Sequence, residues 1–161
     1  MDRSEEAVLR EMAEGCVQLA AHYRTVGERA NALKMLKDAL FLYGQLEESD
    51  PAACRGVLAD CHSAIGHIYL HDKQYFLAQD HYFSALELRK LQQQEEKEGF
   101  DLSLLAAAYW NLSVLYYRQE DYRPMREMAR MALPLYEALA EKDPDEYGED
   151  VILLRLLLGL R

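Results

Sequence analysis

Residues 64–86 read AIGHIYLHDKQYFLAQDHYFSAL, and the order of small and aromatic side chains along them decides the fold. Gly66 is followed three residues later by Tyr69, preceded by the aliphatic Ile65, and trailed at a distance by a second small residue, Ala85. The same step occurs 46 residues earlier in Leu19, Ala20, Tyr23 and Ala39, and 47 residues later in Leu112, Ser113, Tyr116 and Ala132. Leu158-Gly159, 46 residues beyond Leu112-Ser113, opens a fourth copy. A period of roughly 20–50 residues belongs to solenoids, whose units bury their apolar faces only on one another.

Apolar residues recur at three- and four-residue steps, as in Val8, Met12, Leu19 and Tyr23 or Leu33, Leu36, Leu40 and Tyr43, and no segment alternates with period two. This is helical periodicity. Asp50-Pro51 and Asp143-Pro144 each set an N-cap acid before a proline whose missing N–H costs nothing in the first turn, and Asp143 with Glu146 has the spacing of a capping box. The two caps lie 93 residues apart, so helix starts keep the interval of the core anchors. The expected helices are 4–26, 29–48, 51–72, 74–97, 101–119, 122–142 and 146–160, with turns at Val26-Gly27, His71-Asp72-Lys73 and Glu120-Asp121. Pro134 falls inside the sixth and removes the bond to the Arg130 carbonyl, so a kink is expected there. The fold class is therefore all-α with seven helices: antiparallel pairs at about 4–50, 51–98 and 99–143 and a closing helix at 144–161, in one domain over 1–161.

Gly66-x2-Tyr69 with Ala78, Tyr82 and Ala85 resembles the tetratricopeptide repeat (TPR), in which small residues sit where the helices of a hairpin touch and aromatics fill the space between hairpins. Tyr23, Ala32 and Ala39, and Tyr116 and Ala132, fit the same pattern, so the resemblance covers the chain from about residue 4 onward. It implies a right-handed α-solenoid whose concave groove is lined by the first helix of each pair and takes a peptide or helix of another protein. The period exceeds the family's usual ~34 residues by about twelve, or some 18 Å of helix. The family's terminating proline comes about two turns late, at Pro51 and Pro144, and the second unit ends instead at Glu98-Gly99-Phe100. Met125 and Ala129 replace the usual small and aromatic residues of the third unit. Where some members clamp a terminal carboxylate with Lys, Asn and Arg, this chain has Val17, Ala21, Ser63, His67, Ala107 and Trp110, so a chaperone-tail clamp is not expected.

If Leu19, Ala20 and Tyr23 face inward, a step of about 100° per residue sends Val17, Ala21 and Arg24 to the opposite side of the helix. The equivalent residues are Ser63, His67, Leu70 and His71 in the second unit and Trp110, Val114, Tyr117 and Arg118 in the third. The expected partner surface thus mixes apolar and aromatic groups with arginine and histidine. Trp110 is the expected anchor, because a large ring with one N–H donor is a typical interface hot spot. The alternative packs Trp110 between hairpins and leaves Tyr109 the more exposed ring.

Chemistry other than docking finds little support. His67 and His71 stand four apart, a spacing at which two imidazoles can share zinc, with Asp60 and Asp72 near in sequence, but no HExxH motif or third ligand accompanies them. No metal or cofactor is expected. Cys61-His62 is no nucleophile and base pair, since adjacent helical residues diverge by about 100°. Glycine-rich phosphate loops are absent, and Met125, Met128 and Met131 read as core filler, so no enzyme activity is expected.

The 161 residues carry a formal charge of −10 without a basic run, which disfavours nucleic-acid backbones and anionic bilayers as partners. The N-terminal residues lack the apolar core of a signal peptide, and no stretch approaches the roughly 20 apolar residues that cross a bilayer. Cys54 and Cys61 lie about 10 Å apart by helical rise, too far for a disulfide, and Cys16 leaves the count odd, which suits a reducing, cytoplasmic setting. From Val151 to Leu160 eight of ten residues are large and aliphatic, whereas a terminal solenoid helix is polar on its outer side. Leu153, Leu156 and Leu160 are expected to self-associate as a homodimer or meet a partner; a longer array cut short and an ordinary buried cap are the alternatives. The expected function is a non-catalytic protein–protein interaction module, an adaptor or scaffold. The alternative is a small acidic chaperone for a basic or aggregation-prone client.

Overall fold

A computed structural model describes residues 2–161. Among these the chain forms α1 (Arg3–Thr25), α2 (Arg29–Glu47), α3 (Pro51–His71), α4 (Tyr75–Glu96), α5 (Leu102–Arg118), α6 (Tyr122–Lys142) and α7 (Pro144–Leu157), with a 3-10 turn at Lys97–Gly99 and no strand. The fold is all-α.

Short acids start four of these helices. Asp50 Oδ1 accepts the Ala53 N–H at 3.2 Å, Asp101 Oδ1 the Ser103 N–H at 3.0 Å, and Asp143 Oδ1 the Glu146 N–H at 3.1 Å. At α1 Asp2 accepts from the Ser4 and Glu5 amides while the Glu5 carboxylate takes the Asp2 N–H, a full capping box. Because Pro144 occupies the first position after its cap, α7 begins two residues before the expected start. Across Pro134 α6 continues to Lys142.

The hairpin turns carry the repeat into the backbone. Gly27, Lys73 and Glu120 are left-handed, with φ of 79°, 58° and 60°. Their own N–H groups donate to the carbonyls of Arg24, Leu70 and Tyr117, and the next residues, Glu28, Gln74 and Asp121, donate to Tyr23, Tyr69 and Tyr116 at 2.8, 2.8 and 2.9 Å. Each is a Schellman motif closed on the carbonyl of the repeat tyrosine, and the three turns recur at the same 46 and 47 residues as the side-chain anchors.

A fourth such cap ends α7, where Leu160 N–H donates to the Arg155 carbonyl at 2.8 Å and Gly159 has φ 68°. This corrects the expectation that Leu158-Gly159 begins a fourth anchor pair. The two residues form the C-cap, because a glycine that adopts the left-handed conformation after the last helical residue ends a helix rather than packing inside one.

Two compact units divide the chain, one up to Leu88 and one from Arg89 to Arg161, with the boundary inside α4. In the first, α1 packs on α2 and α2 on α3, around Ala20, Leu36, Ala39, Tyr43, Ile65, Tyr69, Tyr82 and Ala85. The closest approach is between Gly66 on α3 and the Tyr82 ring on α4: a Cβ at residue 66 would lie 2.5 Å from the ring. In the second unit α5 packs on α6 and α6 on α7, around Tyr109, Leu112, Leu115, Ala129, Ala132 and Leu154. There the residue equivalent to Gly66 is Ser113, which keeps its Cβ because Ala129 stands in the register of Tyr82. The Ser113 hydroxyl, fully buried, donates to the Met125 carbonyl at 3.1 Å.

Two side-chain assignments from the repeat need correction. Leu19 is 48% exposed, whereas its equivalents Ile65 and Leu112 are both at 0%. None of the described helices covers that face of α1, and Val8, Met12 and Leu19 form an exposed apolar stripe along it. Of the three methionines read as core filler, Met125 is buried but Met131 is 50% exposed on the far side of α6.

Candidate functional site

None of the expected groove residues is buried; most of them line recesses, whereas Ser63, Leu70 and Arg118 line none of those described below. In the second unit the face of α5 opposite Tyr109 carries Trp110, Val114 and Tyr117. With Ser113, and with Leu153 and Leu157 of α7 as the opposite wall, they line a recess of about 250 Å³. Trp110 is half-buried and meets the Tyr136 ring of α6 edge-on, with centroids 6.3 Å apart, so its orientation is fixed while one side stays open. Tyr109 is the buried ring of the two, which removes the alternative that it is the exposed one. Tyr117 is 55% exposed at the rim and has an edge contact to Tyr122. Leu157 carries no sequence signal that marks it as a wall, and Leu153, expected to meet a second copy or a partner, lines this recess. Leu156 and Leu160 lie outside this recess and are 68% and 50% exposed.

In the first unit Val17, Ala21 and Arg24 of α1 form a small recess of about 100 Å³ with Leu36, Cys61 and Ala64. Arg24 is shared with a neighbouring recess of about 230 Å³ that it lines with Gly27, Arg29, His67, Ile68 and His71. Arg29 Nε and His71 Nδ1 both reach Asp72 Oδ1, at 3.3 and 3.2 Å. His67 is held from beneath: its Nδ1 lies 2.7 Å from the Tyr82 hydroxyl. Burial, and next the nearby Arg24 charge, hold the His67 imidazole below its ordinary pKa. His67 and His71 thus engage different partners, and no group of three metal-ligating side chains occurs among the described residues.

A contact the sequence did not suggest joins His62 of α3 to His81 of α4, Nδ1 to Nδ1, at 2.9 Å. The Tyr69 ring lies against His81, and Lys37 Nζ sits 5.6 Å from the centre of that ring. Burial, and then His81, lower His62 to about 4. His81 is lowered by burial and by Lys37, against the opposing pull of Asp80. Cys61 beside them is pushed up to about 12 by burial. A thiol held protonated next to an imidazole that resists protonation is the reverse of an activated nucleophile. All three cysteines are free.

No described helix is long and apolar enough to cross a membrane. A scan against models of known protein families finds no match, and a search of curated proteins finds no similar sequence.

Proposed function

We propose that this chain is a non-catalytic interaction module, an adaptor or scaffold whose antiparallel helix pairs follow one another as a right-handed, TPR-like α-solenoid and dock a peptide or helix of another protein on their first helices. The observation that carries this reading is the α5–α7 recess. Trp110, Val114, Tyr117, Leu153 and Leu157 present an open, apolar cleft with an oriented indole, the setting in which one anchoring side chain of a partner contributes most of the binding energy. The recurrence of the Schellman turns at the interval of the core anchors supports the repeat architecture. Free cysteines suit a reducing, cytoplasmic setting.

Trp110 is the sole tryptophan, so its emission reports on the recess directly. Affinity capture with the wild type beside Trp110→Ala and Tyr117→Ser tests the reading. A protein retained by the wild type and lost from both variants, with a shifted Trp110 emission when it is added back, is the expected result. Equal retention by all three folded proteins refutes the site. The exposed leucines of α7 also suit a chaperone for an aggregation-prone client; suppression of client aggregation that disappears in Leu156→Glu but persists in Trp110→Ala would select that reading.

A further inference from the structure

The Arg24 recess of the first unit bears on which partner the module takes. Four basic side chains from three helices converge there, Arg24 of α1, Arg29 of α2, and His67 and His71 of α3, on a chain whose formal charge is −10. Among the described residues Asp72 is the one carboxylate bonded to the group, and it serves Arg29 and His71. Arg24 is exposed and has no carboxylate partner among the described residues.

His67 is preset as a donor. The Tyr82 side chain is 1% exposed and its hydroxyl lies 2.7 Å from His67 Nδ1; either tautomer allows the contact, and the one in which the phenol donates is the one that satisfies its buried proton. The imidazole proton then resides on Nε2, on the opposite edge of the ring, where it serves the recess. Tyr82 reaches this position because Gly66 has no Cβ to meet its ring. One device of the core thereby fixes the tautomer of a surface histidine beside an unpaired guanidinium.

The adjoining recess is of another character. Val17, Ala21, Leu36 and Ala64 line it, with Arg24 as the wall common to both and Asp60 at its margin. A carboxylate beside Arg24 and His67 therefore has an apolar side chain's berth next to it.

We propose that this double recess binds an acidic, leucine-rich segment of the partner, taking its side-chain carboxylates between Arg24 and the His67 Nε2–H and an adjacent aliphatic side chain beside Val17 and Ala21. The inference rests on the reading of the chain as a docking module and names the partner's chemistry. Charge-assisted hydrogen bonds from a guanidinium and an imidazole are short and directional, which suits a carboxylate better than an amide of the same shape. The long-range repulsion from the acidic chain is screened over about 8 Å at physiological salt, so the contact charges decide.

The test is a titration of isotope-labelled full-length protein, followed by NMR of the histidine ring nitrogens and the Arg24 Nε. The probes are two end-capped octapeptides, one alternating leucine with glutamate and one leucine with glutamine, and a leucine–glutamine peptide with a free C-terminus. The capped glutamate peptide is expected to shift His67 and Arg24 resonances, and to bind about tenfold or more tightly than either glutamine peptide. Arg24→Ala should lose about tenfold with an unchanged circular dichroism spectrum, since the residue is exposed. Tyr82→Phe should release the tautomer, seen in the two ring-nitrogen shifts of His67. Equal binding of the capped glutamine peptide overturns the acidic preference while leaving the docking module standing. Equal binding of the free-ended peptide assigns the site to a terminal carboxylate and overturns the side-chain assignment. Failure of all three peptides, or indifference of binding to Arg24→Ala, overturns the site.

Discussion

Gly66→Ala pits two effects of similar size against each other, and the structure says which one wins. In a helix interior, alanine is worth about 1 kcal/mol over glycine. At residue 66, however, the new Cβ would lie 2.5 Å from Cε1 and 2.6 Å from Cδ1 of Tyr82. That ring is rigid, 1% exposed and tied through its hydroxyl to His67, so it cannot swing away as a flexible chain end would. Overpacking of this kind costs about 1–3 kcal/mol, and displacement of the ring forfeits about 1 kcal/mol more from the hydrogen bond. The net expectation is a loss of about 1–3 kcal/mol. Gly15→Ala in α1 and Gly44→Ala in α2 are the controls: neither Cβ meets any atom within 4 Å, so both should gain about 0.5–1 kcal/mol. Thermal and urea unfolding followed by circular dichroism measure all three, and each kcal/mol moves the melting temperature by about 2–4 °C at this chain length. Replacing Tyr82 by leucine removes the obstruction, so in that background Gly66→Ala should stabilise as the controls do. A Gly66→Ala protein at least as stable as the wild type, or one whose effect is the same with leucine at residue 82, refutes the packing argument.

The left-handed turns make a second test: Lys73→Gly and Glu120→Gly should each raise the urea midpoint by the equivalent of about 0.5–1 kcal/mol, and Gly27→Ala should lower it by about 1 kcal/mol, because only glycine adopts that backbone without a steric cost. The paired histidines predict an acid limb. Their folded pKa values lie below the ordinary one, so the folded state holds fewer protons, and stability is complete above about pH 6.5 and declines as the pH falls towards about 4. Each histidine contributes at most about 1.4 kcal/mol per pH unit, so the slope should be shallower in His62→Asn; identical pH profiles for the two proteins contradict it. Finally, light scattering should find wild-type dimers and Leu156→Glu monomers, because Leu156 is 68% exposed while the neighbouring Leu154 alone anchors the buried side of α7. A wild-type monomer ends that idea.

How much of this was legible beforehand depends on whether a feature repeats. Helix type, the hairpin turns and the buried residues Ala39, Ala85 and Ala132 all follow from periodicity, because each copy confirms the others. Single positions break the rule: Leu19 has the pattern of Ile65 and Leu112, but none of the described helices covers it. Leu158-Gly159 likewise matches the anchor motif in letters and serves as a cap. Pairings across a hairpin were not legible either, since His62 and His81 are 19 residues apart and Tyr82 and His67 15, and nothing in a single chain announces that they meet. The one available signal was the glycine at residue 66 opposite a tyrosine in the register where the other units have leucine and alanine. Leu157 completes the Trp110 recess through the start and length of α7, which depend on how the chain turns at Asp143-Pro144 rather than on any motif of its own.

The unequal fillings of the two units bear on how such a chain can be recombined. Gly66 opposes a tyrosine and Ser113 occupies the same register opposite Ala129, so neither the volume at this crossing nor its distribution is kept from one hairpin to the next. Grafting α5 in place of α3 would drive a serine into the Tyr82 ring, and the reciprocal graft would leave a hole beside Ala129. The smallest interchangeable piece is therefore a whole two-helix cassette, and libraries shuffled at the hairpin tips should yield far fewer folded members than libraries shuffled at the links between hairpins.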